Sequence, residues 1–401
     1  MRFSNTARLE IALLAMLTVI NGVLPRRQEA LAAQEGGQKA AERRLLYVAS
    51  PGATGSENGI GILVFDVNRS FKFVKRISTF DYPAGKEPCC EFGTVFFGEE
   101  VRGIAANTAT ALLSISTGRR LAAFSLLTDK KVWEFEEPHA QCCDRHSVSP
   151  DGKTIYAPSL AGPRTHWFVL DGMTGKVTTT VRGPDGAHNT IYSADGNRVY
   201  MEGIDSKEIA IADPKTHKVV RRIGPFSDMV RPFTVNGAGT LVFASLNNLL
   251  GFEVGDVRTG KMLHRVEVAG FDAGPKGPGR NPSHGVALTP DEKEVWVADD
   301  INGYVHVFDA TVMPPTQKTS IKLRRRTHGW VTVGLDGKYV YPSSGDVIDA
   351  GTKKIIGGLF DELGKEVLSE KIVEVAFSGG RLVRAVDQFG VGQVRGSSPS
   401  N

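Results

Sequence analysis

Apolar residues alternate with small or polar ones along residues 284–309, which read HGVALTPDEKEVWVADDINGYVHVFD. The alternation has a period of two and predicts three short β-strands, GVALT, EVWVAD and YVHVFD. The intervening PDEK and DING segments are rich in turn-forming residues, so tight turns should connect the strands. The stretch therefore predicts one antiparallel sheet, which needs similar neighbours to cover its two faces.

The same pattern recurs along the chain. Copies begin at Arg145, Ala187, Val230, Ser283 and Thr327, and a weaker copy begins at Val101. From Arg145 onward, successive starts differ by 42, 43, 53 and 44 residues, and the long interval holds the Gly/Pro-rich insert AGPKGPGRNP at 273–282. A period of about 40–45 residues with strand-only patterning is typical of β-propeller blades.

The two ends of the chain complement each other. Near the N-terminus, LLYVAS, GILVFDV and FKFVKRIST predict three strands without the inner strand that opens the other blades. Near the C-terminus, EKIVEVAFSGGRLVRAVDQFG (370–390) has the pattern of an inner strand, a GG turn and a second strand. The C-terminus should therefore supply the missing inner strand, which leaves no free sheet edge. The sequence thus predicts an all-β, seven-bladed β-propeller of four-stranded antiparallel blades, closed by pairing of N- and C-terminal strands in one blade.

Several of the repeats have a familiar form. The segments PDGKTIYA, PDEKEVWVAD and LDGKYVYPS, with the TGK-V turns, resemble the YVTN-type repeats of bacterial seven-bladed propellers. That group includes lactonase-like propellers related to 6-phosphogluconolactonase. The resemblance covers residues from about 45 to 390 and implies the fold. It leaves the activity open, because the motifs are turn and core residues and the group contains both hydrolases and binding proteins.

The composition agrees with this fold and excludes one class of binding partner. The 401 residues include 45 glycines, 41% hydrophobic and 23% charged residues, as expected of a turn-rich all-β protein. The net charge is +4, and the only dense basic run is the arginine triplet at 324–326. No aromatic residues interleave with this run, so it predicts a solvated loop and no nucleic-acid partner.

The N-terminus has the features of an export signal. Arg2 and Arg8 precede an apolar run at 11–24, which is shorter than the about 20 residues needed to span a bilayer but fits a signal peptide. We expect a signal peptide at 1–33, a polar tether at 34–44, the propeller at 45–390 and a flexible tail at 391–401. The predicted location is periplasmic or secreted, with no integral membrane segment after signal removal. A cytoplasmic protein with an apolar N-terminal helix is the alternative.

Candidate chemistry follows from the propeller geometry. The first strand of each blade lines the central channel, so the residues that open these strands should converge at one mouth. Alignment on the second-strand aromatic residues gives the opening positions Asp144, His188, Arg231, His284 and Gly329. His328 lies one residue before Gly329, His146 lies just inside Asp144, and Arg102 and Glu374 are the counterparts in the second blade and the C-terminal strand. The remaining histidines that fall in blades are His166, His217, His264 and His306, which lie on predicted loops, turns or outer strands.

Imidazoles grouped at one mouth can bind a divalent transition metal or act as general acid and base. The candidate catalytic residues are His188, His284, His328 and Arg231. The candidate metal ligands are His146, His188, His284 and His328, and the candidate ligand-binding residues are Arg102, Asp144 and Glu374. The alternative for each histidine is a structural hydrogen bond to backbone or ordered water.

The most economical chemistry is hydrolysis of a lactone or ester. A histidine base or a metal-bound water would attack, and Arg102 or Arg231 would stabilise the anion. A lyase acting on an acidic sugar would use similar residues. The other hypothesis is a non-catalytic scaffold that binds a protein partner, which the absence of a G-x-S-x-G, H-E-x-x-H or Walker A motif favours. The predicted partner is thus a small-molecule or sugar-like ligand, or another protein.

The four cysteines form two adjacent pairs, Cys89–Cys90 and Cys142–Cys143. An even number in an exported protein suggests disulfides. Both pairs precede inner strands of neighbouring blades, so we expect two cross-links between their loops. Disulfides between adjacent residues would be strained, and a thiolate metal site with His139 or His146 is a third possibility.

Overall fold

The computed structural model describes residues 41–50, 58–80, 101–117, 120–136, 143–159, 164–326, 329–386 and 389–393, and the backbone of 88–89 and 96–97. The chain divides into two units, Met1–Glu42 and Arg43–Asn401, and every described strand lies in the second unit. That unit is all-β: the described residues form seven blade sheets and one small two-stranded sheet, with a single 3-10 turn at Val67–Arg69.

Six blades are four-stranded antiparallel sheets built from consecutive strands. Blade 2 contains Gly103–Asn107, Leu112–Ser116, Arg120–Ser125 and Lys131–Glu136; blade 3 contains Ser147–Val148, Thr154–Pro158, His166–Asp171 and Val177–Arg182; blade 4 contains Ala187–Tyr192, Val199–Gly203, Ile209–Asp213 and Lys218–Ile223.

The other half of the ring repeats the arrangement. Blade 5 contains Val230–Val235, Leu241–Leu246, Gly251–Asp256 and Met262–Glu267; blade 6 contains Val286–Leu288, Glu294–Asp299, Tyr304–Asp309 and Thr316–Lys322; blade 7 contains Val331–Val333, Tyr339–Pro342, Asp346–Asp349 and Lys354–Gly358. From blade 1 to blade 7, the inner strand of each blade contacts that of the next, and blades 7 and 1 are joined by hydrogen bonds from Tyr341 and Leu335 to Glu374. The inner strands therefore surround a common axis.

Blade 1 joins the two ends of the chain. Its strands lie in the order Lys72–Ile77, Gly61–Asp66, Arg43–Ser50, Ile372–Ser378 and Arg381–Ala385. The junction is an antiparallel ladder in which Tyr47 pairs with Val373. The predicted closure and the predicted seven blades are confirmed. Blade 1 has five strands instead of four, and the fifth is the second C-terminal strand predicted after the GG turn, where Gly379 and Gly380 both have positive φ.

The core lies between the blades, because each sheet buries both faces against its neighbours. The aromatic residues that align the repeats are buried on the second strands, where they pack between blades: Tyr156, Tyr200, Phe243, Trp296 and Tyr341. Outermost strands consist mostly of exposed and half-buried residues, as in Lys218–Ile223. This gradient places the most densely buried part of the molecule around the central axis.

The C-terminal segment 389–393 crosses the ring at the end where the inner strands finish. The carbonyl of Gly390 accepts hydrogen bonds from Thr234 Oγ1 (2.7 Å) and from the amide of Leu288 (2.8 Å). The amide of Gly392 donates to the carbonyl of Val235 (2.9 Å). Phe389 is buried. The segment thus links blade 1 to blades 5 and 6 and covers this end of the channel.

The predicted signal peptide and most of the predicted tether fall on residues 1–40, outside the described part of the chain. The first strand begins at Arg43, two residues before the predicted start of the propeller. In the described residues, no helix has the length and apolar character needed to cross a bilayer.

Candidate functional site at the mouth of the channel

Polar side chains converge where the inner strands begin. Asp144 and Arg145 precede the inner strand of blade 3, His188 lies in that of blade 4, and Glu370 and Lys371 precede that of blade 1. Further residues of blades 4 to 7 lie beside them. We call the following set the mouth cluster: Asp144, Arg145, His188, Asn189, Glu202, Arg231, His284, Trp330, Glu370 and Lys371.

Arg145 is the centre of the mouth cluster. Its Nη1 donates to His188 Nε2 (2.7 Å) and its Nη2 donates to Glu370 Oε2 (2.9 Å). Asp144 Oδ1 lies 3.7 Å from Nη1. Arg145 also forms a parallel backbone bridge with Asn189. One buried guanidinium therefore connects blades 3, 4 and 1, which a propeller can do only at its axis.

His188 has the geometry of a neutral base. Because Arg145 donates to Nε2, that nitrogen is the unprotonated acceptor, and Nδ1–H lies 3.0 Å from Glu202 Oε2 and 2.7 Å from the side-chain amide of Asn189. Asp144 Oδ2 lies 3.4 Å from Nε2. Burial, followed by the nearby charges of Arg145 and Arg231, holds the pKa of His188 well below its usual value. The ring is thus uncharged at neutral pH, with one nitrogen able to accept a proton.

Glu202 supports this ring from the second strand of blade 4. Its side chain is fully buried, and Asn189 Nδ2 donates to Oε2 at 2.5 Å. Burial raises the pKa of Glu202 to about 8, although the Asn189 hydrogen bond and the two arginines act in the opposite direction. A carboxyl group with such a pKa exchanges protons near neutral pH, next to a histidine that stays neutral.

The floor of the site is a buried ion cluster on an indole ring. Glu370 Oε2 accepts from Lys371 Nζ (2.8 Å) as well as from Arg145. Arg145 Cζ and Lys371 Nζ lie 4.6 and 4.8 Å from the ring centroid of Trp330, distances typical of cation–π contacts. The Phe389 ring packs edge-on against Trp330 at 5.8 Å. The covering segment at the far end of the channel therefore supports the floor of the mouth cluster.

His284 lies on the opposite side of the mouth from His188, with 6.5 Å between the ring centroids. Its Nδ1 is 3.2 Å from the carbonyl of Gly329 and 3.9 Å from Glu370 Oε1. The side chains of His188 and His284 are 9% and 8% exposed. These small exposed areas mark the side from which solvent reaches the cluster.

Four buried atoms of the mouth cluster have no hydrogen-bond partner among the described residues: Asp144 Oδ2, Arg145 Nε, Asn189 Oδ1 and Glu202 Oε1. Buried polar atoms without partners are rare in folded proteins, because each carries a desolvation cost. Their concentration in one place marks a site that water or a ligand completes. Asp144 Oδ2 and Asn189 Oδ1 are acceptors, Arg145 Nε is a donor, and Glu202 Oε1 is either, according to whether its carboxyl group is ionised.

Arg231 borders the cluster from blade 5. Its Nε donates to Asn247 Oδ1 (2.6 Å), which fixes the guanidinium. Burial lowers its pKa, while Glu202 acts in the opposite direction. The insert at 273–282 lies beside it, since the amide of Asn248 donates to the carbonyl of Arg280 (2.8 Å). Arg102 is buried at the corresponding position of blade 2.

The structure brings together Asp144, His188, Arg231 and His284, whereas His146 and Glu374 lie elsewhere. His146 points between blades 2 and 3, where Nε2 is 2.7 Å from Ser114 Oγ and Nδ1 is 3.0 Å from Ser116 Oγ. Burial lowers its pKa to about 3. Both ring nitrogens already have partners, which is typical of a structural histidine.

Glu374 lies at the closure of the ring instead of at the mouth. It pairs with Arg44 and accepts from Tyr341 Oη (3.1 Å) and the amide of Leu335 (3.3 Å). Because the C-terminal inner strand starts at Ile372, the residues at its mouth end are Glu370 and Lys371, four and three positions earlier than predicted.

The predicted metal finds no support in the described residues, which contain no group of three or more His, Cys, Asp or Glu side chains placed to hold an ion. The proposed ligand set is divided, because His146 faces the blade interface and His328 lies outside the described residues. His146 is therefore separate from His188 and His284, and a metal ion at the mouth stays a prediction.

The cysteines are described only in part. Cys143 is buried and disulfide-bonded, and its amide donates to the carbonyl of Thr117 (2.7 Å). The side chains of Cys89, Cys90 and Cys142 lie outside the described residues. The predicted cross-links between the two loops therefore stay a prediction.

Sequence reasoning missed much of the mouth cluster: Arg145, Asn189, Glu202, Trp330, Glu370 and Lys371. The Glu-Lys pair directly before the last inner strand was a usable signal, because the same position in other blades gave Asp144 and His284. Glu202 had no such signal, since it lies on a second strand and reaches the mouth through the packing of blade 4.

A comparison with protein-family models found no matching family. A comparison with curated proteins found no match either. The seven-bladed β-propeller rests on the structure itself, and membership in the YVTN or lactonase-like group stays a prediction from the repeat motifs.

Proposed function

We propose that the protein binds a small hydroxylated carboxylic acid, or its lactone, at the mouth cluster and hydrolyses the lactone. The observation that carries this proposal is the group of four buried polar atoms without partners beside buried cations. A purely structural ion cluster would be expected to satisfy its own hydrogen bonds. A bound ligand would therefore supply hydrogen-bond partners for these four atoms.

The types of unpaired atom indicate the class of ligand. Asp144 Oδ2 and Asn189 Oδ1 are oxygen atoms that call for donors, and hydroxyl groups supply them, while Glu202 Oε1 is a donor when its carboxyl group is protonated and an acceptor when it is ionised. Arg145 Nε calls for an acceptor, and Arg231 adds a second cation at the same mouth. A carboxylate or ester carbonyl on the same small molecule supplies that acceptor. Hydroxy acids and their lactones carry both kinds of group.

The chemistry assigned to His188 is that of a general base. Nε2 takes a proton from water as the water oxygen bonds to the lactone carbonyl carbon, and Glu202 stabilises the resulting imidazolium through Nδ1–H. Arg231 or Arg145 stabilises the carbonyl oxygen as it becomes negative. The ring C–O bond then breaks, and the departing alkoxide recovers the proton from Nε2. Arg145 must leave Nε2 for the ligand, which its unpaired Nε favours.

The test uses five- and six-membered aldonolactones for turnover and the corresponding aldonic acids for binding. Replacing Arg231 by alanine should weaken acid binding by about 10- to 100-fold, as expected for the loss of a charged hydrogen bond. Arg222→Ala is the matched control, because Arg222 pairs with Glu208 on the outer surface of blade 4. His188→Gln should slow ring opening by about 10²- to 10⁴-fold.

Wild-type protein that neither binds an acid nor opens a lactone would refute the proposal, as would equal effects of the Arg231 and Arg222 substitutions. An unsaturated product from an acidic sugar would instead support the lyase alternative. Export to the periplasm or medium remains the prediction from the N-terminal sequence.

A further inference from the structure

Lys371 is a buried amine that the hydrolytic scheme does not use. It immediately precedes the inner strand Ile372–Ser378, and its side chain has no exposed surface. Among the described residues, its only hydrogen-bond acceptor is Glu370 Oε2, at 2.8 Å. An ammonium group has three donors, so this environment satisfies the charged form poorly.

Burial and Arg145 favour the neutral amine of Lys371, against the other groups that face it. Arg145 shares the same carboxylate oxygen, so the counter-ion of Lys371 is already engaged by another cation. The Trp330 ring, at 4.8 Å, favours the ammonium through a cation–π contact. Burial and then the charge of Arg145 lower the pKa of Lys371 to about 8, although Glu370 and Asp144 act in the opposite direction. Desolvation beside a second cation is a recurrent way to activate a lysine nucleophile.

The amine is approached from the mouth. The far end of the channel is covered by segment 389–393, and Phe389 packs beneath Trp330. On the other side, Glu370 separates Lys371 from His284, whose Nδ1 is 3.9 Å from Glu370 Oε1. A ligand that enters the mouth and draws Glu370 or Arg145 toward itself therefore uncovers Nζ.

From this geometry we propose that Lys371 captures the carbonyl carbon of a small 2-oxo acid or hydroxyaldehyde as an imine. The inference uses the mouth cluster of the proposed function but not its hydrolytic step. Arg145 and Arg231 would bind the carboxylate of a 2-oxo acid, as they would that of a hydroxy acid. The substrate class is thus extended from lactones to carbonyl compounds of similar size.

The atoms of the reaction balance without a redox partner. The lone pair of neutral Nζ bonds to the carbonyl carbon, and the oxygen takes up a proton to give a carbinolamine. Loss of the second N–H proton and of the hydroxyl group as water leaves the C=N bond. Glu370 Oε2, 2.8 Å from Nζ, is the nearest group to accept and return the proton.

The experiment traps the imine in the intact protein. Wild-type protein is incubated at pH 8 with pyruvate, or separately with glyceraldehyde, and sodium cyanoborohydride, which reduces C=N to a stable secondary amine. Peptide mass spectrometry then locates the adduct. Lys371 should be labelled faster than Lys318 on the order of a hundredfold, because the pKa of Lys318 is raised by Glu294 and little of it is neutral at pH 8.

Lys371→Arg should abolish this adduct, and the matched control Lys318→Arg should retain it. The inference fails if neither probe labels Lys371 in native protein while urea-unfolded protein is labelled there. It also fails if labelling follows surface exposure across all lysines. The two proposals fail separately: lactone opening without an adduct at Lys371 leaves the proposed function standing, and an adduct without lactone opening does the reverse.

Discussion

Two buried histidine–carboxylate sets in this propeller differ in how completely they are hydrogen-bonded. In blade 6, His306 contacts Asp299 and Ser320, and we call these three residues the blade 6 triad. His306 Nε2 is 3.0 Å from Asp299 Oδ2, and Nδ1 is 2.8 Å from Ser320 Oγ. In the mouth cluster, His188 likewise has a carboxylate on one nitrogen, Glu202 at 3.0 Å. Inspection of the histidines alone would rank the two sets as equally catalytic.

The carboxylates separate them. Asp299 Oδ1 accepts from the amides of Ile301 and Asn302, both at 2.8 Å, and Oδ2 accepts from the Asn302 side chain as well as from His306. Each oxygen of Asp299 is satisfied, whereas Asp144 and Glu202 each retain an oxygen without a partner among the described residues. A complete hydrogen-bond set stabilises a blade, and an incomplete set at the channel mouth is suited to a ligand.

The largest expected effect is on stability, in blade 6. Asp299→Ala should lower the free energy of unfolding by about 3–5 kcal/mol, because it leaves His306 and the turn amides without their buried acceptor. Urea unfolding followed by circular dichroism measures this loss. Ligand binding at the mouth should be unchanged in the folded variant, and an equal loss of binding would break the distinction between the two sets.

The contributions of Glu202 and Asp299 to stability should also depend on pH in opposite ways. The raised pKa of Glu202 means that the folded protein holds a proton there between pH 4.5 and about 8, while the unfolded chain releases it. The Glu202 contribution to stability therefore falls as pH rises through this window, by about 2 kcal/mol or more. Glu202→Gln removes this dependence, so the variant should gain relative to wild type between pH 5 and 8.

Asp299 is the control for that measurement. Burial acts to raise its pKa, but the hydrogen bonds from His306 and Asn302 bring it below the usual value. Its contribution is present above pH 3.8 and is lost as pH falls through the folded-state pKa. The difference in unfolding free energy between Asp299→Asn and wild type should therefore change with pH only in the acidic range. If the difference in unfolding free energy between Glu202→Gln and wild type did not change between pH 5 and 8, the raised pKa assigned to Glu202 would be wrong.

The sequence predicts the fold of this protein more completely than its candidate site. Strand alternation, the repeat length and the unmatched ends predicted seven blades and their closure, because these depend on local pattern and on counting. The same alignment located Asp144, His188, Arg231 and His284 at the mouth. It could not find Glu202, which approaches from a second strand, or assign His146, whose ring turns toward Ser114 and Ser116.

A third, smaller effect tests the serine of the blade 6 triad. Ser320→Ala should cost about 1 kcal/mol, the usual worth of one partly buried hydrogen bond. Thermal and urea unfolding of the folded variant give the value. Thr319→Ala, the neighbouring residue on the same outer strand, is the matched control, and an equal loss for both would remove the role assigned to the His306 contact.

The smallest expected effect on stability is at His188 itself. His188→Gln should change the free energy of unfolding by less than about 0.5 kcal/mol, because the cluster already tolerates unpaired atoms and glutamine retains one donor and one acceptor. His306→Gln, measured in parallel, should cost several times more. If the two substitutions were equally costly, the mouth cluster would have to be regarded as structural.

The Glu-Lys pair and Phe389 lie within residues 370–389, and they arrive at the axis only when the strand Ile372–Ser378 pairs with Arg43–Ser50. During synthesis, blades 2 to 7 are complete in sequence before these residues leave the ribosome, but the floor beneath His188 is not. A product truncated before Glu370 would accordingly lack the carboxylate that Arg145 binds, however well its early blades had folded.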